Sequence, residues 1–249
     1  MSIDTTIPAI TAILTVYKRP DTLALQIECL RQQTIPPTEI WVWKNNNTII
    51  TCDLPSDIKC VESNHNFKYY SRFAFAQLVT TPFIAIIDDD MFPEKKWFEQ
   101  CLYYIEKYNG IMGGLGVKLM ADNYTTNIKF GWSDRHEDTI QEVDICCQSW
   151  FFKKEWLKFL WMMEPITWEN GEDILFSFSA KKYGGIQSFV PPHPEHDNTV
   201  WSSNFHRGYP YSTDHNATWR TNKDHFVTRN MLCSYYIYKH GWPLCRYNI

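Results

Sequence analysis

The stretch FIAIIDDD, running from Phe83 to Asp90, decides the fold. An unbroken apolar run with no polar alternation is the pattern of a strand covered on both faces, as in parallel sheets. Carboxylates follow it at once. In open α/β sheets ligands gather beyond the carboxyl ends of the strands, so Asp88, Asp89 and Asp90 stand where chemistry is expected. Asp88 and Asp90 alternate along the chain and can project to one side while Asp89 turns elsewhere. Adjacent carboxylates repel one another, and an apolar strand end is a costly place for them unless a cation or several donors compensate. Hard oxygen ligands suit Mg2+ or Mn2+, and such an ion neutralises a departing diphosphate as a Lewis acid. The competing reading is a plain cap of the turn before Pro93 and the helix at Glu94.

Outward from this strand the chain alternates. Ile10 to Val16 (ITAILTV) is apolar and β-branched, and Asp21 then opens a stretch with Leu23, Ile27 and Leu30 on one helical face. Glu39 to Trp43 predicts a second strand at βαβ distance, Ile58 to Val61 a third, and Arg72 to Val79 a short helix. Beyond the carboxylates, Glu94 to Tyr108 reads as a helix, Ile111 to Leu119 and Val143 to Phe152 as strands. Gly171 to Gly184 reads as a helix, Ile186 to Val190 as a short strand and Phe226 to Lys239 as a helix. From Pro191 to Asp224 periodicity fails, and a loop of that length in a compact domain is more often functional than idle. The expected class is α/β with a mainly parallel central sheet flanked by helices and a mixed carboxyl-terminal portion. No repeat or composition break divides residues 1–249, so a single domain is expected.

Composition narrows the function. With 24 basic and 28 acidic residues among 249, the formal charge is −4, and no Lys or Arg run offers a counter-field for phosphates, so nucleic acid is not an expected partner. Apolar residues make up 44% and charged residues 21%, which fits neither a disordered chain nor a fibre. Met1 to Pro8 lacks the form of an export signal and no window is apolar enough to span a membrane, so a soluble cytoplasmic protein is expected. The 8 cysteines show no C-x-x-C spacing, so buried thiols are expected rather than zinc or dithiol chemistry. Aromatic residues reach 16%, which suits either core filling or the flat faces of sugars and nucleobases.

The turn after the first strand, Thr15 to Pro20, contains no glycine, which argues against a dinucleotide turn and a P-loop. GIMGGLG, Gly110 to Gly116, lacks their spacing too and fits a close strand approach. A second carboxylate pair, Glu172 and Asp173, opens the helix in WENGEDILF, where the helix dipole favours ionised groups and a general base would be well served. One of the two is expected to face the site and the other to support it, because neighbouring helical positions point about 100° apart. Among the late histidines, His193 follows a strand and is the candidate to join Asp90 on a metal.

Four segments in order, ILTVYKRP, KNNN, an Arg-bearing helix before FIAIIDDD, and WENGEDILFSF, resemble the GT-A glycosyltransferases, nearest to family 2 of the nucleotide-diphospho-sugar transferases. The resemblance runs from about Thr11 to Pro194. It implies a Rossmann-like nucleotide-sugar half over roughly residues 1–120 and an acceptor half over 121–249. It places Thr15, Tyr17 and Arg19 along the nucleobase, Asn45 or Asn46 on the base or ribose, and Arg72 near the nucleotide. Asp88 would contact ribose and sugar, with Asp89 in the same donor-binding set, and Asp88 and Asp90 would hold Mn2+ or Mg2+ against the diphosphate. Asp173, with Glu172 beside it, matches the base of inverting members, and Trp150 and Trp168 an acceptor platform. The implied activity is transfer from a UDP-sugar to a hydroxyl of a glycan or glycoprotein. NGEDILFSF is also similar to the exostosin-like transferases, which retain configuration, and a fainter similarity is to glycosyltransferases of large algal viruses. A nucleotidyltransferase making sugar nucleotides and a noncatalytic carbohydrate-binding protein remain as other readings.

Overall fold

A computed structural model describes residues 8–131 and 135–245. Apart from Pro8, the amino-terminal stretch read for an export signal lies outside them. Strand β1 (Ile10–Val16) takes β2 (Glu39–Lys44) on one edge and β4 (Phe83–Ile87) on the other, both parallel, with Ile13 opposite Trp41 and Ile86. β3 (Lys59–Glu62) adds in parallel outside β2. Every residue of β4 is buried, so its unbroken apolar composition is a local record of cover on both faces. Helices α1 (Leu23–Arg31), α2 (Tyr70–Phe75) and α3 (Trp97–Tyr108) make the crossovers.

The strand order is β3-β2-β1-β4 and then β8-β5-β9-β7, with β6 paired to β5. The chain runs outward from β1 to β3 and returns to the opposite side of β1 as β4. Connections therefore diverge between β1 and β4, the place where α/β sheets bind ligands. The second half is mixed. β8 (Ile145–Lys153) runs antiparallel to β4 and to β5 (Ile111–Ala121), β9 (Ser188–Val190) is parallel to β5, and β7 (Gln141–Val143) is antiparallel to β9. The expected α/β class is thus what folds.

Several local expectations are corrected. The strand expected over Val143 to Phe152 divides at Asp144, whose carboxylate accepts from Leu119 N and Cys245 N, both at 2.7 Å. The helix expected from Glu94 starts at Trp97. β6 (Asn123–Gly131), too polar to read as a strand, makes a hairpin with β5. The segment 191–224, read as irregular, holds a 3-10 turn at Asn198–Val200 and the helices α5 (Phe205–Ser212) and α6 (Thr218–Thr221). These pieces are short, and α5 carries Pro210 within it, so no long period exists to be read. α4 (Glu172–Gly184) and α7 (His225–His240) follow expectation. The glycine-rich β5 is a close approach: a Cβ on Gly114 would lie 2.1 Å from Ser149 Oγ and 2.8 Å from Met91 Cε. All eight cysteines are free thiols, six of them buried. Among the described residues no helix is long and apolar enough to cross a membrane.

Candidate functional site

The carboxylates after β4 begin where the sheet changes direction. Asp88 N donates to Gln148 O at 2.8 Å, and Gln148 sits at φ +63, beside the register shift between Gly113 and Leu115 in the β5–β8 pairing. Gln26 Nε2, from α1, binds Asp88 O at 2.7 Å and Met91 O at 2.9 Å. The turn is therefore held by backbone contacts, which leaves the three carboxylates to other partners.

Each carboxylate is treated differently. Asp88 is ion-paired to Arg72 Nη1 of α2, and Nη2 of the same guanidinium binds Glu172 Oε1 at 2.9 Å. Arg72 is 6% exposed and lies 4.8 Å from the Trp150 ring centroid, a cation–π contact in a dry setting. Asp89 binds Arg19 Nη1 at 2.6 Å. Arg19 also reaches Asp214 Oδ2 through Nε at 2.9 Å, Asp214 Oδ1 through Nη2 at 2.8 Å, and Tyr211 O at 2.7 Å. Asp90 Oδ1 is buried with no hydrogen-bond partner. Burial pushes the Asp88 carboxyl up to about 7 against the pull of Arg72, and it raises Asp90 to about 7 with help from Asp89.

The second pair opens α4 through Gly171, which holds φ +93 and whose added Cβ would meet Leu232 Cδ1 at 2.2 Å. Only glycine lets α4 start this close to α7. Arg229 of α7 grips Asp173 in a fork, Nη1 to Oδ1 at 3.0 Å and Nη2 to Oδ2 at 2.5 Å, and reaches Asn170 Oδ1 at 3.1 Å. Asp173 accepts further from Ile174 N at 2.8 Å and Cys147 Sγ at 3.4 Å. Burial alone would raise this carboxyl, but the guanidinium outweighs it and holds the group below the usual range. Glu172 goes the other way: burial, with Asp173 beside it, pushes it up to about 7 despite Arg72.

The remaining expected residues divide. Arg19, Arg72, Asp88, Asp89, Glu172 and Asp173 join this linked network of charges. Thr15 Oγ1 is buried without a partner, Tyr17 is half-buried and Asn46 exposed. Asn45 is buried, giving Nδ2 to Asn66 Oδ1 at 2.8 Å and accepting Phe67 N at 3.3 Å. Trp168 is 51% exposed and meets Tyr70 edge-on. Trp150 is corrected: at 2% exposure, with its Nε1 on Cys146 O at 2.9 Å, it is the bed for Arg72 and has no face for a sugar. His193 is also buried, its ring packed against both His136 and Trp201 at 5.2 and 4.7 Å in a mutual cluster of three rings, and burial with His136 lowers its pKa to about 3. Among the described residues no three His, Cys, Asp or Glu form a group able to hold a metal ion.

Two residues were missed by sequence reasoning, Arg229 and Asp214. Each is a single charge whose partner lies far away in the chain, and no local pattern marks it. Asp214 at least lay in the segment singled out as functional.

The family model for glycosyl transferase family 2 matches residues 11–161, more than half of the chain. No curated protein matches it.

Proposed function

We propose, because the chain belongs to glycosyl transferase family 2, that it moves a sugar from a UDP-sugar to a hydroxyl of a carbohydrate acceptor with inversion at the anomeric carbon. The observation that carries this reading is the single guanidinium of Arg72 joining Asp88 to Glu172. It couples the carboxylates at the sheet's ligand-binding end to the pair at the start of α4, so a donor held by the first would present its anomeric carbon toward the second.

Roles follow from chemistry. Asp88 and Asp90 fit a divalent ion: they offer hard oxygens, both resist ionisation in the absence of a cation, and Asp90 Oδ1 is an orphan acceptor. Mg2+-type ions take one or two carboxylates and complete their sphere with water and phosphate oxygens. When bound there, the ion would offset the charge on the departing diphosphate. Arg72 orients Asp88, and Arg19 holds Asp89 aside. Exposed Trp168 supplies an apolar face for an acceptor ring, and the hydroxyl proton passes to the carboxylate pair opening α4.

A thermal-shift series with UDP, UDP-glucose and UDP-galactose tests the donor site. Stabilisation is expected only with Mn2+, about 2.7 kcal/mol at a hundredfold excess over Kd, and is expected to vanish in Asp90→Asn. If no uridine nucleotide stabilises the protein with or without the metal, and no UDP is released with saccharide acceptors, the reading fails.

A further inference from the structure

We infer that the outer face of α7 is the interface of a homodimer, in which two copies of this chain pair their α7 helices antiparallel about a two-fold axis. The helix is apolar on two sides. Its inner positions Leu232, Cys233 and Tyr236 are buried in the core, with Arg229 among them. At about 100° per residue, Val227, Met231, Tyr235 and Tyr238 fall within an arc of about 80° on the opposite side, and they are between 38% and 71% exposed. A helix lying on a single core turns polar residues to water, and α1 does so with Glu28 and Arg31. An apolar seam of about three turns left facing water marks an interaction surface.

The order of residues along the seam points to a second copy as its cover. Val227, Met231, Ser234 and Tyr238 are spaced by four, three and four positions, the alternation of helices that pack knobs into holes. That spacing reads the same in both directions, so the face is self-complementary about a two-fold axis. In the antiparallel pairing Val227 meets the partner's Tyr238 and Met231 meets the partner's Ser234, a smaller side chain against a larger one each time. Charge selects the same direction. Asp224 stands at the N-cap of α7 and Lys239 in its last turn, both exposed and both on one flank of the seam. Antiparallel pairing sets Asp224 beside the partner's Lys239, twice by symmetry, whereas parallel pairing sets like charge against like. The other flank repeats the pattern: Asp122 Oδ2 accepts from Tyr238 Oη at 2.8 Å at the carboxyl end of the seam, and Lys223 lies at the amino end. Two helices alone fall near the lower limit of specific interfaces, about 1,200 Å2, so the dimer is weak, with a Kd on the order of 10 μM.

Sedimentation velocity from about 1 to 200 μM, in reductant so that exposed Cys60 cannot link chains, tests the pairing. The mass is expected to rise from one chain to two with concentration, and the melting temperature to rise alongside it by mass action. Met231→Glu puts an unpaired charge into the seam twice and is expected to raise Kd at least about a hundredfold. Asp224→Lys and Lys239→Asp are each expected to raise it about tenfold, and the double variant Asp224→Lys/Lys239→Asp to restore most of the loss, because the swap rebuilds the pair in the opposite sense. All three positions are exposed, and melting of each variant at a concentration where every chain is single separates loss of pairing from loss of fold. A chain that stays single at the highest concentration overturns the proposal, as does a dimer indifferent to Met231→Glu. A dimer that the charge variants leave intact, or that the swap fails to restore, overturns the antiparallel arrangement. Capture of single chains by phosphatidylcholine–phosphatidylglycerol vesicles, lost in Met231→Glu, would assign the seam to a lipid surface and overturn the homodimer.

Discussion

One guanidinium serving two carboxylates makes Arg72 the most consequential side chain in the molecule. Its charge is spread in a plane that can meet Asp88 and Glu172 at once, and its face rests on the Trp150 ring. Lysine offers a point charge and no fork, so it cannot reproduce the bridge. Arg72→Met leaves two carboxyls facing one another without a cation and is expected to cost about 3–5 kcal/mol, the usual price of breaking a buried pair. Urea unfolding at pH 8, where those carboxyls ionise, reads the cost, and Arg72→Lys should recover only part of it. A midpoint unchanged by Arg72→Met would mean that the bridge contributes nothing to stability.

At the level of elements, α4 and α7 are the pair on which the candidate chemistry depends. Gly171 permits their approach by adopting a left-handed conformation beside Leu232. Gly171→Ala combines backbone strain with a clash and is expected to destabilise by about 1–3 kcal/mol. Adding Leu232→Ala removes the clash but not the strain. The double variant should therefore lose less than the sum of the two single losses, a coupling that a double-mutant cycle measures directly. The legibility of the elements follows the same physics. β1 and β4 were readable because burial on both faces writes an apolar run into adjacent positions. β6 was not, because much of it is open to solvent and its polar residues carry no strand signature. α7 was legible as a helix, yet its Arg229 was not legible as part of the site. Periodicity reports which face of a helix is apolar and says nothing of a carboxylate 56 positions earlier.

Over the whole molecule the raised carboxyls set a direction for stability against pH. Asp88, Asp90 and Glu172 each titrate near 7 when folded and near 4 when unfolded. The folded chain thus holds more protons in the interval between, and stability falls as pH rises through it. Below about 6.5 the buried histidines oppose this, since His193 and His225 are driven down to about 3 and 4 by burial and must charge on unfolding. The uncompensated loss is expected between about pH 6.5 and 8. Melting temperatures of metal-free protein should drop across that window, and Mn2+ with UDP should flatten the drop. A flat metal-free profile would show that the three carboxyls are not held up. The candidate roles were partly legible at this scale as well. Asp88 to Asp90, Glu172 and Asp173 announce themselves as paired acids, whereas Trp150 looks like an acceptor platform until its burial beneath Arg72 is known.

The ion pairs also impose an order of events on a chain made from its amino end. Arg19 waits for Asp214, 195 positions on, and Asp173 for Arg229, 56 positions on. Until ribosomal synthesis has passed residue 229 and those late segments have docked, early acids and bases of the cleft lack their final partners. The nascent polypeptide can lay down β1, β2 and β4 well before then, but the cleft's charge balance is among the last things it acquires.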